Sequence, residues 1–155
     1  LPVRNKEFFD NAIPSGNSVS AMNLIRLAGL TGDERYRSIA DRILQKMAGA
    51  MGQHPLGFGN WLQAADCLLG TVKEIVLIGP KDGRDLLLGP VRGSFLPRKV
   101  LVQADEASPH LVQQIPLLAD RRAHEGKATA YVCENYTCKE PTTDVDLFDR
   151  LLRKS

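Results

Sequence analysis

A chain of 155 residues, 43% hydrophobic and 25% charged, is long enough to bury a core of its own, and no apolar run approaches the roughly 20 residues that cross a bilayer. Disorder, fibre and membrane span are thereby excluded. Twenty Lys and Arg against eighteen Asp and Glu leave a net charge of +2, with no basic cluster longer than a pair such as Arg121-Arg122 or Arg153-Lys154, too thin a surface to track a phosphate backbone, so nucleic acid is not an expected partner.

Turn and capping residues at 11–18 predict a helix starting near Asn17, with Ser15, Asn17 or Ser18 able to accept from its first free amides. Over residues 19–30 the apolar positions cover most of the circumference and leave only Ser20, Asn23 and Arg26 as a polar stripe. Such a helix must pack on more than one side, against another part of the chain, a missing segment or a second copy. Thr31-Gly32-Asp33 ends it and caps a second helix, in which Tyr36, Ile39, Ala40, Ile43, Leu44, Met47 and Met51 follow 3-4 spacing. Residues 52–59 break the pattern, and 60–69 form a third, mostly apolar helix holding Trp61 and Cys67.

From Val72 the period changes. Short apolar runs at 73–78, 99–104 and 128–133 predict buried strands, and the intervals at 85–95 and 109–120 hold enough periodic leucines for short helices, the first interrupted at Gly89-Pro90. Strand, helix, strand, helix, strand implies parallel pairing through right-handed crossovers. A closing helix over 145–153, capped by Thr143 or Asp144, completes the reading. The fold class is therefore α+β or α/β, with helical hairpins over 1–70 and a small three-stranded parallel α/β subdomain over 71–155.

Few motifs carry chemistry. Gly79-Pro80-Lys81-Asp82-Gly83 lacks the spacing of a phosphate loop and reads as a turn with Asp82 capping a helix. His54, His110 and His124 are far apart and outside zinc-binding patterns, so no metal and no cofactor are expected. Asp105, Glu106 and Glu140 read as caps and solvated charges, and Phe58 and Trp61 as core rather than a sugar-stacking platform. The sequon Asn135-Tyr136-Thr137 matters only in a secretory compartment. Three cysteines, an odd number, point instead to a reducing, cytoplasmic setting. Cys133 and Cys138 bracket the exit of the third strand; a turn would bring the sulfurs together, whereas an extended connection would hold them ~16 Å apart. The expectation is a reduced, structurally employed pair without metal, Cys138 beside Lys139 being the more reactive, with redox chemistry as the alternative. The chain opens on Leu1 with no signal pattern and is expected to be a piece of something longer.

The stretch Phe9-Asp10-Asn11-Ala12-Ile13-Pro14-Ser15-Gly16-Asn17-Ser18-Val19, then Asn23-Leu24, and later Ala130-Tyr131-Val132-Cys133-Glu134-Asn135-Tyr136-Thr137-Cys138-Lys139-Glu140-Pro141, resembles the C-terminal portion of the YyaL-like, spermatogenesis-associated thioredoxin-domain family. That resemblance implies a larger protein, with a thioredoxin-like domain followed by an α/α toroid similar to N-acylglucosamine 2-epimerases and six-hairpin glycosidases. Residues 1–70 would then be the last helices of the toroid. Asp10, Asn11, Ser15 and Asn17 would line the mouth of a carbohydrate-type cavity, and helix capping is the competing role for the same side chains. The remainder of the parent chain would be the main partner, and Cys133 and Cys138 would be distinct from the thioredoxin-type cysteines. On this basis the chain contributes helices and a rim loop to that cavity and is not catalytic alone. The alternatives are a non-catalytic interaction module that also self-associates, and thiol redox chemistry at Cys133 and Cys138.

Overall fold

The computed structural model of the chain describes residues 7–134 and 137–153. In chain order it has α1 (Gly16–Thr31), α2 (Glu34–Gln53), a 3-10 turn (Pro55–Gly57), α3 (Gly59–Leu69), β1 (Lys73–Ile78) and α4 (Lys81–Gly93). There follow β2 (Lys99–Ala104), α5 (Pro109–Gln114), a second 3-10 turn (Pro116–Leu118), β3 (Thr129–Glu134), β4 (Thr137–Cys138) and α6 (Val145–Arg153). The fold is mixed α/β, as the change of period at residue 72 predicts. The chain divides into two compact units, one holding residues up to Ala28 with Gly32–Gly70, the other Gly29–Thr31 with residues from Thr71 onward.

In the helical unit, α1 starts where the Ser15 side chain accepts from the Ser18 amide at 3.2 Å, and it ends where Gly32 takes a left-handed conformation, φ 67°, closing a bond to the Ala28 carbonyl. Asp33 then caps α2 by accepting from the Arg35 amide. The apolar faces meet in one core built on Met22, Ile25, Leu44, Met51, Phe58 and Trp61. Met22 and Ile25 are thus covered from within this unit, while Val19 remains 40% exposed. Phe58 and Trp61 are each 1% exposed, and the Trp61 indole donates to the Phe8 carbonyl at 2.7 Å. Both are core residues, and neither offers a ring face to a sugar.

In the second unit the strands form one sheet in the order β2-β1-β3-β4. β1 and β2 are parallel, Lys73 opposite Lys99 through Ile78 opposite Ala104. β3 lies antiparallel to β1, Lys73 opposite Glu134 through Ile78 opposite Thr129, and corrects the all-parallel expectation. A parallel return must carry the chain back along the whole length of the sheet. Six-residue strands are about 20 Å long, whereas the six residues of α5 rise only about 9 Å, so the chain starts β3 at the end where β1 finishes. An apolar run specifies burial and not direction. β4, which the sequence reading lacked, pairs antiparallel with β3.

Strand alternation divides the sheet into two faces. Ile75, Leu77, Ala130 and Val132 pack beneath α4 and α6 with Leu87, Val91, Phe148 and Leu152. Val76, Ile78, Val102 and Tyr131 face the other way, against Leu118 and the partly buried Leu111, Val112 and Ile115 of the α5 region. Contrary to expectation, Gly89-Pro90 does not interrupt α4. Pro90 stands in its last turn, where its missing N–H deprives only the carbonyl of Leu86, a residue 68% exposed. Asp82 lies in the first turn of α4 and makes no capping bond; Asp144 does cap α6, accepting from the Leu147 amide at 2.7 Å.

Gly79 explains the glycine-rich turn that follows β1. Its φ is 122°, and a Cβ there would stand 2.8 Å from the Ala128 Cα, so the side-chain-free position lets the start of β3 close against the end of β1. Gly79→Ala is therefore expected to destabilise the α/β unit by about 2 kcal/mol or more, measured by urea denaturation. A loss below about 0.5 kcal/mol would show that Ala128 moves away freely.

Candidate functional site

The antiparallel register places Glu74 opposite Cys133 and Cys133 opposite Cys138, so three side chains of β1, β3 and β4 form a row on the Tyr131 face of the sheet. Cys133 and Cys138 are joined as a disulfide, their Cα atoms 3.9 Å apart. This corrects the expectation of two reduced thiols. Glu134 pairs with Thr137, so β3 turns back after only two intervening residues and makes the two cysteines direct cross-strand neighbours instead of extended ones. Asn135 and Tyr136 of the sequon lie outside the described residues, as do Leu1 and Lys154. Cys133 is 1% exposed, whereas Cys138 on the edge strand is exposed. The third cysteine, Cys67, is buried in the helical unit.

Arg121 lies over this disulfide. Its guanidinium donates to Cys138 Sγ at 2.9 Å and to Cys133 Sγ at 3.3 Å, and it stacks over the Tyr131 ring at 5.0 Å from the centroid. Its Nε–H is buried and finds no hydrogen-bond partner among the described residues, so part of the cation is withdrawn from water where its field is least screened. The loop carrying it is firmly held. The Tyr131 hydroxyl donates to the Arg122 carbonyl at 2.8 Å and accepts from the Arg122 amide at 3.1 Å, and His124 Nε2 lies 3.2 Å away. The His124 amide donates to Thr129 Oγ1 at 2.9 Å. These bonds fix a segment in which Asp120 (φ 60°) and Glu125 (φ 51°) take left-handed backbone conformations, unusual outside glycine.

Glu74 completes the row. Burial raises its carboxyl above the usual glutamate range, and the Arg121 charge, working in the opposite direction, does not restore it. On the other face at the same end of the sheet, Lys73 and Glu134 form a half-buried ion pair. A cavity of about 470 Å³ opens beyond the carboxyl ends of β1 and β2, walled by Ile78, Asp105, Glu106, Val112, Arg121 and Arg122, so Arg121 belongs to both the cavity wall and the disulfide.

The candidate rim residues Asp10, Ser15 and Asn17 are engaged in hydrogen bonds within the helical unit. Asp10 Oδ1 accepts from the Ser15 amide at 2.9 Å and the Ser18 hydroxyl at 2.6 Å, while Oδ2 accepts from the Asn60 and Trp61 amides at 2.8 and 3.1 Å. One carboxylate thus ties the start of α1 to the first turn of α3. Burial works to raise the Asp10 pKa, but the bonds from Ser18, Ser15, Trp61 and Asn60 outweigh it and hold the group below the ordinary aspartate value. Ser15 caps α1, Asn17 donates to the Glu7 carbonyl at 3.0 Å, and Asn11 is exposed. Elsewhere Asp105 pairs with Arg84, His110 contacts Gln114, and Glu140 is exposed. No group of three or more His, Cys, Asp or Glu suited to a metal occurs among the described residues. Sequence reasoning missed Arg121 and Glu74: the first had no signal beyond a basic pair, the second only its charge at the edge of an apolar run.

The chain is 39% identical over 93% of its length to spermatogenesis-associated protein 20 of Homo sapiens, and 37% identical over 99% to the protein of the same name of Rattus norvegicus. An uncharacterized protein of Caenorhabditis elegans is 24% identical over 99% of the chain. The chain spans about a fifth of the length of these curated relatives. These likenesses link it to spermatogenesis-associated protein 20. No family model matches, and no solved structure matches significantly.

Proposed function

We propose that the α/β unit carries a thiol–disulfide exchange centre formed by Cys133, Cys138 and Arg121, within one portion of a longer protein of the spermatogenesis-associated protein 20 kind. The observation that supports this is the guanidinium held at 2.9 and 3.3 Å from both sulfurs. A disulfide sulfur is a weak, neutral acceptor, whereas a thiolate receives a charge-assisted bond about twice as strong as a neutral one. Arg121 therefore favours the reduced pair over the oxidised pair and makes the disulfide easier to open.

Exposure sets the order of events. The thiolate of an incoming dithiol attacks the exposed Cys138 Sγ, the Cys138–Cys133 bond breaks, and Cys133 leaves as a thiolate beneath Arg121. The second thiol of the donor, once deprotonated, attacks the donor's own sulfur in the mixed disulfide and releases Cys138. Two electrons and two protons pass to the pair, and the donor becomes a disulfide. The thioredoxin-like domain implied for the longer family protein is a dithiol of the right class and would lie in the same parent chain. The helical unit would then add its helices to the toroid, with Asp10 organising a rim loop. Among the described residues no helix is long and apolar enough to cross a membrane. A cytoplasmic location would supply a reducing thiol pool to cycle the centre.

Arg121→Met keeps the side-chain stem and removes the charge. It is expected to lower the equilibrium constant for reduction about tenfold, moving the midpoint about 30 mV more negative, as read by mass spectrometry after alkylation in glutathione buffers. An unchanged midpoint would leave the disulfide a passive staple.

A further inference from the structure

We propose that Glu74 is the proton-transfer residue of this centre, giving a proton to the Cys133 thiolate as the disulfide opens and taking it back as the disulfide closes; this rests on the exchange chemistry assigned above. Three observations meet at one point. The register sets Glu74 directly opposite Cys133, and such cross-strand partners have Cβ atoms about 4.5–5.5 Å apart, within reach for a glutamate carboxyl. Cys133 is 1% exposed, so water has little access to the sulfur that leaves. Arg121 stabilises a thiolate there but carries no proton that it can release near neutral pH. A leaving thiolate in that position needs a local donor, and Glu74 is the ionisable group beside it.

The surroundings of Glu74 keep a proton available. Burial raises its carboxyl, so a larger share is protonated near neutrality than for a solvated glutamate. On β2 its partner is Val100, which does not titrate; on β3 it faces Cys133, and Arg121 approaches from the loop. His124 meets the same layer at the Tyr131 hydroxyl and ring edge and, through its amide, at Thr129, with Tyr131 standing between it and the Glu74–Cys133 pair. Lys73 and Glu134 lie on the opposite face and are paired with each other.

The bonds balance. When the partner thiolate attacks Cys138, the Cys133–Cys138 electron pair goes to Cys133 Sγ, and the Glu74 carboxyl O–H transfers its proton to that sulfur, leaving Glu74 ionised against Arg121. On reoxidation of the pair by a disulfide, Glu74 carboxylate removes the Cys133 proton as the thiolate attacks the mixed disulfide at Cys138. Proton transfer of this kind typically contributes about 10²–10⁴-fold in rate when the donor is in its protonated form.

The experiment follows reduction of the intact chain by dithiothreitol in quenched flow, from about pH 5.5 to 9, with alkylation and mass spectrometry as the readout. Rates are divided by the concentration of dithiothreitol thiolate. The wild-type normalised rate is expected to rise as the pH falls below 7, while Glu74→Gln stays flat and runs about tenfold slower near pH 6. Glu74→Asp restores part of the rise, which ties the effect to a carboxyl rather than to folding. If Glu74 only neutralised Arg121, Glu74→Gln would free that charge and speed reduction at every pH; equal or faster rates in Glu74→Gln would overturn the proposal while leaving exchange at the cysteines intact. A wild-type disulfide that dithiothreitol cannot open while the chain is folded would instead overturn the exchange centre itself, and Glu74 with it.

Discussion

Asp10→Ala is expected to destabilise the helical unit by about 3–4 kcal/mol, the largest stability loss of any single substitution considered. The carboxylate accepts four hydrogen bonds, two tied to α1 through Ser15 and Ser18 and two from the Asn60 and Trp61 amides of α3. Bonds to a charged acceptor are each worth about 1.5–3 kcal/mol, and water replaces part of that at a half-buried site. Asp10→Asn retains one acceptor oxygen and should lose about 1–2 kcal/mol. The pH dependence has a definite sign. Because the folded pKa lies below the unfolded value, ionised Asp10 stabilises the fold above about pH 4, and that contribution is lost as the pH falls through the folded pKa. Wild type and Asp10→Asn should therefore differ in stability at neutral pH and converge in acid. Trp61 is the single tryptophan and sits in this unit, so its fluorescence in urea titrations reports the transition. A loss under 1 kcal/mol for Asp10→Ala would mean that water replaces the carboxylate and that its place in the fold is free for a ligand role.

Removing either sulfur should abolish exchange, and the two single variants should differ sharply in what they leave behind. Cys133→Ser leaves an exposed Cys138 under Arg121 and next to Lys139, a site that favours thiolate, so it should alkylate rapidly and trap a dithiol donor as a mixed disulfide. Cys138→Ser leaves a thiol that is 1% exposed, which should alkylate at least about tenfold more slowly. Each variant also gives up a five-residue cross-link, which loop-closure entropy values at about 2 kcal/mol for the α/β unit. Equal alkylation rates in the two variants would show that burial and Arg121 do not set the order of attack.

Much of the architecture is legible in the residues themselves. The 3-4 spacing of α2, the capping residues Ser15, Asp33 and Asp144, and the apolar runs of β1, β2 and β3 are local signals and mark elements the structure contains. Strand direction is different. It depends on whether α5 is long enough to return the chain along the sheet, and a run of apolar residues holds no information about direction. The disulfide depends in turn on direction and on the reversal after Glu134, so the spacing of Cys133 and Cys138 leaves both a joined and a separated pair open. Asp10 is readable as a capping residue near Ser15, but its bonds to Asn60 and Trp61 join residues about fifty positions apart. Arg121 and Glu74 are the least legible. Arg121 and Cys133 lie twelve positions apart across loop and strand, and Glu74 meets Cys133 only through the register of two strands 59 positions apart.

The central claim is that Cys133 and Cys138 exchange electrons with a dithiol partner in the folded protein, and the midpoint potential of the pair tests it most directly. Equilibration of the folded chain with glutathione and dithiothreitol buffers, followed by acid quench and mass spectrometry, gives that value. A midpoint between about −180 and −270 mV, the range of exchange-active dithiols, is the predicted result. A midpoint below about −300 mV, or a disulfide that opens only when the chain unfolds, would place it among passive structural cross-links and contradict the account.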